Sequence, residues 1–264
     1  MGFWDGKVVL ITGGTRGIGL ALAEGIAPSN ASLILTARSK EELEKVGSSL
    51  PVSVDNLFLF PADVSDDDSV KRLMVESFNK FGRIDIVINN AGVGLRGKVC
   101  DINPDDLERA FKVNLFGPLN MVQQTVPIFK MQGQGTIVNI CSLGAVRPVP
   151  NIGGYSASKA ALMSLMQTAR LELQPLGIKV INVFPGSAKT GFRDNALGVS
   201  YPENEPRLSR VSPDLVASRI ISGIEGGKNN IFITWPDKAM AFISGAWPGL
   251  ADKLVSWAFR RKKG

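Results

Sequence analysis

The chain contains no histidine. That single absence removes any Ser/His/Asp triad and any metal site built on imidazole, so chemistry near neutral pH has to be run by tyrosine, lysine, carboxylates, serine or cysteine. Cysteine is scarce as well. Cys100 and Cys141 form neither a CxxC pair nor a disulfide framework, and they read as buried free thiols of a reducing compartment. The N-terminal stretch Met1–Lys7 lacks a basic region followed by a long apolar core, which argues against a signal peptide and for a cytoplasmic protein. No internal repeat, low-complexity linker or break in composition divides the chain. The net charge of +6 is concentrated at one end, because Arg260, Arg261, Lys262 and Lys263 supply four of the positive charges and the rest is nearly neutral. There is no basic face interleaved with aromatics, which excludes nucleic acid as the expected partner.

What is present is an apolar fraction of 44% over 264 residues, enough for one large core. Seven β-rich runs, Lys7–Thr12, Ser32–Ala37, Asn56–Ala62, Ile84–Asn89, Thr136–Cys141, Lys179–Phe184 and Asn230–Trp235, alternate with helix-like segments, one of them extending over Leu107–Lys130. Several of the runs are continuously apolar, as expected where helices cover both faces of a parallel sheet. The expected fold is α/β, a single doubly wound parallel sheet of seven strands, Rossmann-like, with helices on both faces. Residues 1–236 would form the dinucleotide-binding catalytic domain, and 237–264 an apolar and basic extension without a fold of its own.

The first strand runs into Thr12-Gly13-Gly14-Thr15-Arg16-Gly17-Ile18-Gly19 and then a helix-like stretch, Leu20–Ala27. Glycines at a strand-to-helix turn let a pyrophosphate approach backbone N–H groups at the helix N-terminus; the plain alternative is an ordinary turn. Gly13, Thr15, Arg16, Gly17, Ile18 and Gly19 are the candidates. The second strand ends in Thr36-Ala37-Arg38-Ser39, where an acid would meet a ribose 2′-hydroxyl. None is there. Arg38, with Arg16 and the neighbouring Ser39, suits a 2′-phosphate instead, so NADP is expected rather than NAD. After the third strand, Asp63 can accept from an adenine amino group beside Val64, while Ser65 can cap the next helix. Asn89-Asn90-Ala91-Gly92 closes the fourth strand at the edge where such sheets hold ligands, or forms a structural turn. Finally, Tyr155 and Lys159 stand four residues apart at the start of a long helix, on one face. A lysine beside a tyrosine favours the phenolate and makes it a usable acid/base.

Together, Thr12–Gly19, Asn89–Gly92, Lys112-Val113-Asn114-Leu115, Ser142, Tyr155–Lys159 and Pro185-Gly186 with Thr190 resemble the short-chain dehydrogenase/reductase family in order and spacing, over roughly residues 5 to 235. The resemblance implies an NADP-dependent ketoreductase or alcohol dehydrogenase. Tyr155 would exchange a proton with the substrate oxygen, Lys159 would hold the nicotinamide ribose and lower the tyrosine's pKa, Ser142 would hydrogen-bond the substrate oxygen, and Asn114 would hold a water of the proton relay. Ala91 and Gly92 join the cofactor set with Asn90, and Pro185, Gly186 and Thr190 would meet the carboxamide. It also implies a homodimer or homotetramer. The segment 188–212 reads as a substrate lid, with Arg147 and Arg193 as candidate anion contacts. A dinucleotide-binding scaffold without catalysis is the other reading; the intact set Asn114, Ser142, Tyr155 and Lys159 argues against it.

The extension has an apolar stretch, Ala239–Trp247, too short to span a bilayer, followed by a piece that puts Leu250, Leu254, Trp257 and Ala258 on one face before the basic end. It is expected to pack as a flap on its own domain or on a partner subunit. The other reading lays 239–263 on an anionic membrane surface, from which a hydrophobic carbonyl or alcohol substrate would be collected.

Overall fold

The computed structural model describes residues 2–200 and 211–260. In chain order the elements are β1 (Val8–Thr12), α1 (Gly17–Ile26), β2 (Ser32–Ala37), α2 (Lys40–Gly47), β3 (Leu57–Pro61), α3 (Asp67–Phe81), β4 (Ile86–Asn89), β5 (Leu95–Arg96), α4 (Pro104–Phe111) and α5 (Gly117–Gln132). They continue with β6 (Gly135–Ile140), α6 (Leu143–Val146), α7 (Gly153–Leu173), β7 (Ile178–Phe184), β8 (Leu197–Gly198), α8 (Pro213–Glu225), β9 (Asn230–Phe232), α9 (Trp235–Ala246) and α10 (Pro248–Arg260). Seven strands form one sheet in the order β3-β2-β1-β4-β6-β7-β9, all pairings parallel. The expected doubly wound α/β fold is present.

The continuous apolar runs are explained by the two cores they feed. In β1, Val9 and Ile11 pack with Leu22, Ile26, Val216 and Ile220 on the face covered by α1 and α8. Val8 and Leu10 pack with Val70, Leu73, Met121 and Leu162 under α3, α5 and α7. Every residue of β1 is buried, so neither face can be polar. Each large side chain so buried contributes ~1.5–3 kcal/mol. The chain reverses direction across the sheet between β1 and β4, and the carboxyl ends of these two strands carry the glycine turn and the Asn-Asn-Ala-Gly turn, the place where open sheets of this kind hold ligands.

Four local expectations are corrected. The last strand stops at Phe232, because Thr234 and Asp237 form a reciprocal capping box that starts α9 at Trp235. Ser65 does not cap α3; its hydroxyl donates to Asp63 Oδ1 at 2.6 Å, and Asp66 occupies the cap position. Cys100 is exposed in a short 3-10 turn, and only Cys141 is buried. The long helical stretch from Leu107 is two α-helices joined by a π-helical segment, Lys112–Phe116. Among the described residues, no helix is long and apolar enough to cross a membrane.

Candidate active site

A cleft of about 1240 Å³ opens along the carboxyl ends of the strands. Every residue that the sequence nominated lines it except Gly19 and Asn114, which lie directly behind its wall.

Gly13 has φ +65°, and a Cβ there would sit 3.1 Å from both the Ala91 Cα and the Asn90 amide. A Cβ on Gly19 would strike the Gly13 carbonyl. These two positions bring α1 hard against the turn. Asn90 locks the arrangement from the side: its Nδ2 donates to the carbonyls of Thr12 and Gly13 at 2.9 and 3.0 Å. Thr12 Oγ1 accepts from the N–H groups of Asn90 and Ala91, both at 3.0 Å. The first turn of α1 has neither a side-chain cap nor an acidic residue, so its N–H groups remain available to an anion at the cleft.

Arg16 and Arg38 are both exposed and line the cleft. Ser39 caps α2 by accepting from the Glu42 N–H at 3.1 Å. The sequence reading missed Glu42: its Oε2 accepts from the Thr15 hydroxyl at 3.0 Å, which ties the glycine turn to α2 and puts a carboxylate on the cleft wall beside the two arginines. No sequence signal placed it there, because it joins the cleft through a contact with Thr15, which is distant in the chain. Asp63 keeps Oδ1 occupied by the Ser65 N–H and hydroxyl, which holds the carboxylate at the cleft edge beside Val64.

At the other end of the cleft, α7 brings in Tyr155 and Lys159. Lys159 is buried, and its Nζ donates to the Ile140 carbonyl at 2.8 Å. Burial pulls its pKa from 10.5 down to about 8, opposed by the neighbouring Cys141. The same burial pushes the Cys141 thiol up to about 12. Lys159 is therefore an ammonium at neutral pH and close to its titration point. Tyr155 is half-buried, with its ring edge-on to Phe192 at 5.7 Å between centroids.

Ser142 follows β6 and caps α6, its Oγ accepting from the Gly144 N–H at 3.0 Å. That bond uses a lone pair and leaves the hydroxyl proton for a ligand oxygen. Asn114 is fully buried in the π-helical segment. Its Oδ1 accepts from Val93 N–H at 2.8 Å, and its Nδ2 donates to the Val93 carbonyl and to Ser158 Oγ at 2.9 and 3.0 Å. Ser158 Oγ in turn donates to the Tyr155 carbonyl at 2.7 Å. A Cβ on Gly92 would lie 3.1 Å from Asn114 Oδ1 and 3.4 Å from Lys159 Nζ, so these three meet at one point.

Pro185 accepts from the Leu143 N–H at 2.8 Å, and Gly186 lies against Asp237 of α9, leaving little room for any side chain there. Thr190 reaches across to Gly17, where an added Cβ would meet its Cγ2 at 3.1 Å. Within the segment 188–212 the structure has a strand that periodicity could not show: β8 pairs in parallel with β5, Leu95 with Leu197 and Arg96 with Gly198. Residues 201–210 of that segment lie outside the described residues. Arg147 is not the open anion contact expected of it, since it forms an ion pair with Asp252 of α10. Arg193 lines the cleft. Phe192, Ile152, Val149, Ala258 and Phe259 add apolar surface to the cleft, the last two from α10.

The model of the short chain dehydrogenases matches residues 7–197. The chain belongs to the short-chain dehydrogenase/reductase family. It is an oxidoreductase of that family. A dehydrogenase/reductase SDR family protein 7-like from Anopheles gambiae is 32% identical to this short-chain dehydrogenase over 98% of the chain and 83% of the relative. A short-chain dehydrogenase from Burkholderia cenocepacia solved with NADP superposes with a TM-score of 0.81 at 26% identity, over 95% of this chain and 98% of that one. A member from Burkholderia phymatum solved with NAD superposes at 0.82 over 93% and 95% of the two chains; at 24% identity it shares the fold.

Proposed function

We propose that this short-chain dehydrogenase is an NADP(H)-dependent oxidoreductase that interconverts a hydrophobic ketone and its secondary alcohol. The observation that carries the reading is the convergence of Ser142, Tyr155 and Lys159 on one cleft whose far end holds the glycine turn, Arg16 and Arg38. The cradle fits a dinucleotide. Gly13 and Gly19 keep the backbone bare where a pyrophosphate would lie, and the uncapped N–H groups of α1 supply donors. Arg16 and Arg38 would take a 2′-phosphate, while Asp63, Val64, Ala91 and Gly92 line the way to Lys159. Pro185, Gly186 and Thr190 would border the nicotinamide. Relatives solved with NADP and with NAD both exist, and the two arginines are what favour NADP here. When bound, that cofactor supplies or receives the hydride.

The chain's own residues handle the proton. Ser142 donates its free hydroxyl proton to the substrate oxygen, fixing it beside Tyr155 and stabilising the charge that develops there. The Tyr155 hydroxyl gives its proton to that oxygen in reduction and takes one back in oxidation. Lys159, an ammonium one helical turn away, favours the phenolate left behind. Asn114 clamps Val93 and Ser158, and the second lone pair of its Oδ1 is free to hold a water for the relay toward Lys159. The apolar wall of Phe192, Ile152, Val149 and Phe259 favours a hydrophobic substrate such as a 3-oxoacyl or steroid-like ketone. We further propose that the working form is a homodimer or homotetramer, as the family resemblance implies, and that residues 1–236 form the catalytic domain.

The test is Tyr155→Phe with NADPH over a graded ketone panel, NADH beside it. Turnover falls by ~10²–10⁴-fold while NADPH binding persists. A wild-type rate in this variant refutes the assignment.

A further inference from the structure

The hairpin of α9 and α10 leaves large apolar side chains in solvent: Trp235 is 80% exposed, Phe242 68%, Trp247 57% and Trp257 58%, with Leu250 and Leu254 also exposed. Only Trp4 of the four tryptophans is buried in the core. The expected single apolar face of α10 is divided in two. Ala251, Val255, Ala258 and Phe259 turn toward the protein, and Leu250, Leu254 and Trp257 turn outward. Phe242 and Trp247 meet edge to face at 6.0 Å, so the outward stripes of both helices join at the hairpin's tip. No charged residue occurs from Ala239 to Ala251.

The charges around this patch are sorted by sign. Both acids of residues 237–264 are engaged: Asp237 closes the capping box with Thr234, and the exposed Asp252 is paired with Arg147. Lys238 and Lys253 are exposed at its border. The sequence continues into Arg260, Arg261, Lys262 and Lys263, of which the last three lie outside the described residues.

We propose that the outer face of the α9–α10 hairpin docks on an anionic lipid surface. Tryptophans and leucines flanked by lysine and arginine, with the one exposed acid already paired to Arg147, are the composition of an interfacial amphipathic element. Each basic residue at such a surface adds about 1 kcal/mol. A second copy of the chain fits less well, because a twofold interface sets identical patches against each other and would bring the basic borders together. The opposite face of α10 places Ala258 and Phe259 on the cleft, so the docked hairpin lies between the cleft and the bilayer.

The test uses the full chain and vesicles of phosphatidylcholine with or without phosphatidylserine, read by co-sedimentation and tryptophan emission, and is independent of turnover. The wild type should bind the phosphatidylserine vesicles, with a blue-shifted emission that added salt reverses. The surface pair Lys238→Glu/Lys253→Glu, and separately Phe242→Ser/Trp247→Ser, should each weaken binding by at least about tenfold with unchanged thermal melts. Absence of binding, equal binding to both vesicle types, or variants that bind like the wild type would overturn the proposal. So would an oligomer that dissociates in the Phe242→Ser/Trp247→Ser protein, which would assign the patch to a second copy.

Discussion

Replacing Lys159 by methionine should change how stability depends on pH in a direction and over a window that the structure specifies. In the folded protein the ammonium is buried with one carbonyl partner, and its pKa falls from 10.5 to about 8. Between those values the unfolded chain binds a proton at this site that the folded chain does not, so the site's contribution to stability rises with pH across the window. Below about pH 8 the full penalty applies. At about 1.4 kcal/mol for each pH unit, the difference is worth ~3 kcal/mol. Cys141 acts in the opposite sense, since its thiol is raised to about 12 and the unfolded thiol ionises first; the charge of Lys159 lowers it, so the variant's thiol lies higher still, and in both proteins the folded thiol stays largely protonated up to pH 10.5 and cancels in the difference. Losing the bond to Ile140 leaves a buried carbonyl unpaired, a cost of ~1–3 kcal/mol that shifts the variant's curve without altering its slope. Urea unfolding of wild type and Lys159→Met at closely spaced pH values therefore gives two curves that run parallel below about pH 7.5. Approaching pH 10.5 the wild type gains ~3 kcal/mol on the variant. Curves that stay parallel throughout would refute the buried-ammonium reasoning, and with it the reading of Lys159 as a tuned neighbour of Tyr155.

Other substitutions test other parts of the cleft. Arg38→Ala should lower kcat/KM for NADPH by ~10–100-fold, the loss of one charge-assisted contact, and leave NADH nearly unchanged; equal losses with both cofactors would contradict the assignment. Glu42→Gln should shift the ratio toward NADPH in the same assay. Ser142→Ala should reduce kcat by ~10²–10³-fold. The lost cap of a helix as short as α6 should cost no more than ~1 kcal/mol by denaturant titration. Gly19→Ala forces a methyl onto the Gly13 carbonyl and should cost ~1–3 kcal/mol, together with dinucleotide binding seen by fluorescence titration.

The strands were legible because burial on both faces leaves little choice of residue: Val8–Thr12 and Ser32–Ala37 can be little else than central strands. The cleft's spine was legible for the same reason, since a bare backbone beside a phosphate demands glycine at Gly13 and Gly19. What escaped the sequence depends on contacts between distant segments. Glu42 joins the site only because Thr15 reaches it across the turn. Arg147 looked free until α10 brought Asp252 to it. The division of α10 into two apolar faces could not be read from spacing, because Leu254, Val255 and Ala258 satisfy a helical period on either side. The end of β9 yielded to a capping box that the sequence does contain, in Thr234 and Asp237, but that lay inside an apparent strand run.

The π-helical segment at Lys112–Phe116 has a consequence for how α4 and α5 are phased. A residue in excess of the α-helical count turns everything after it by about 100°. Asn114 can therefore face Val93 and Ser158 while Met121, Val122 and Phe129 still meet the sheet. Deleting any one residue between Lys112 and Phe116 would let the two helices fuse into a regular one, and the fused helix could satisfy the core or the amide clamp, but not both. The widened turn works as a clutch that lets one continuous rod serve two different angular demands.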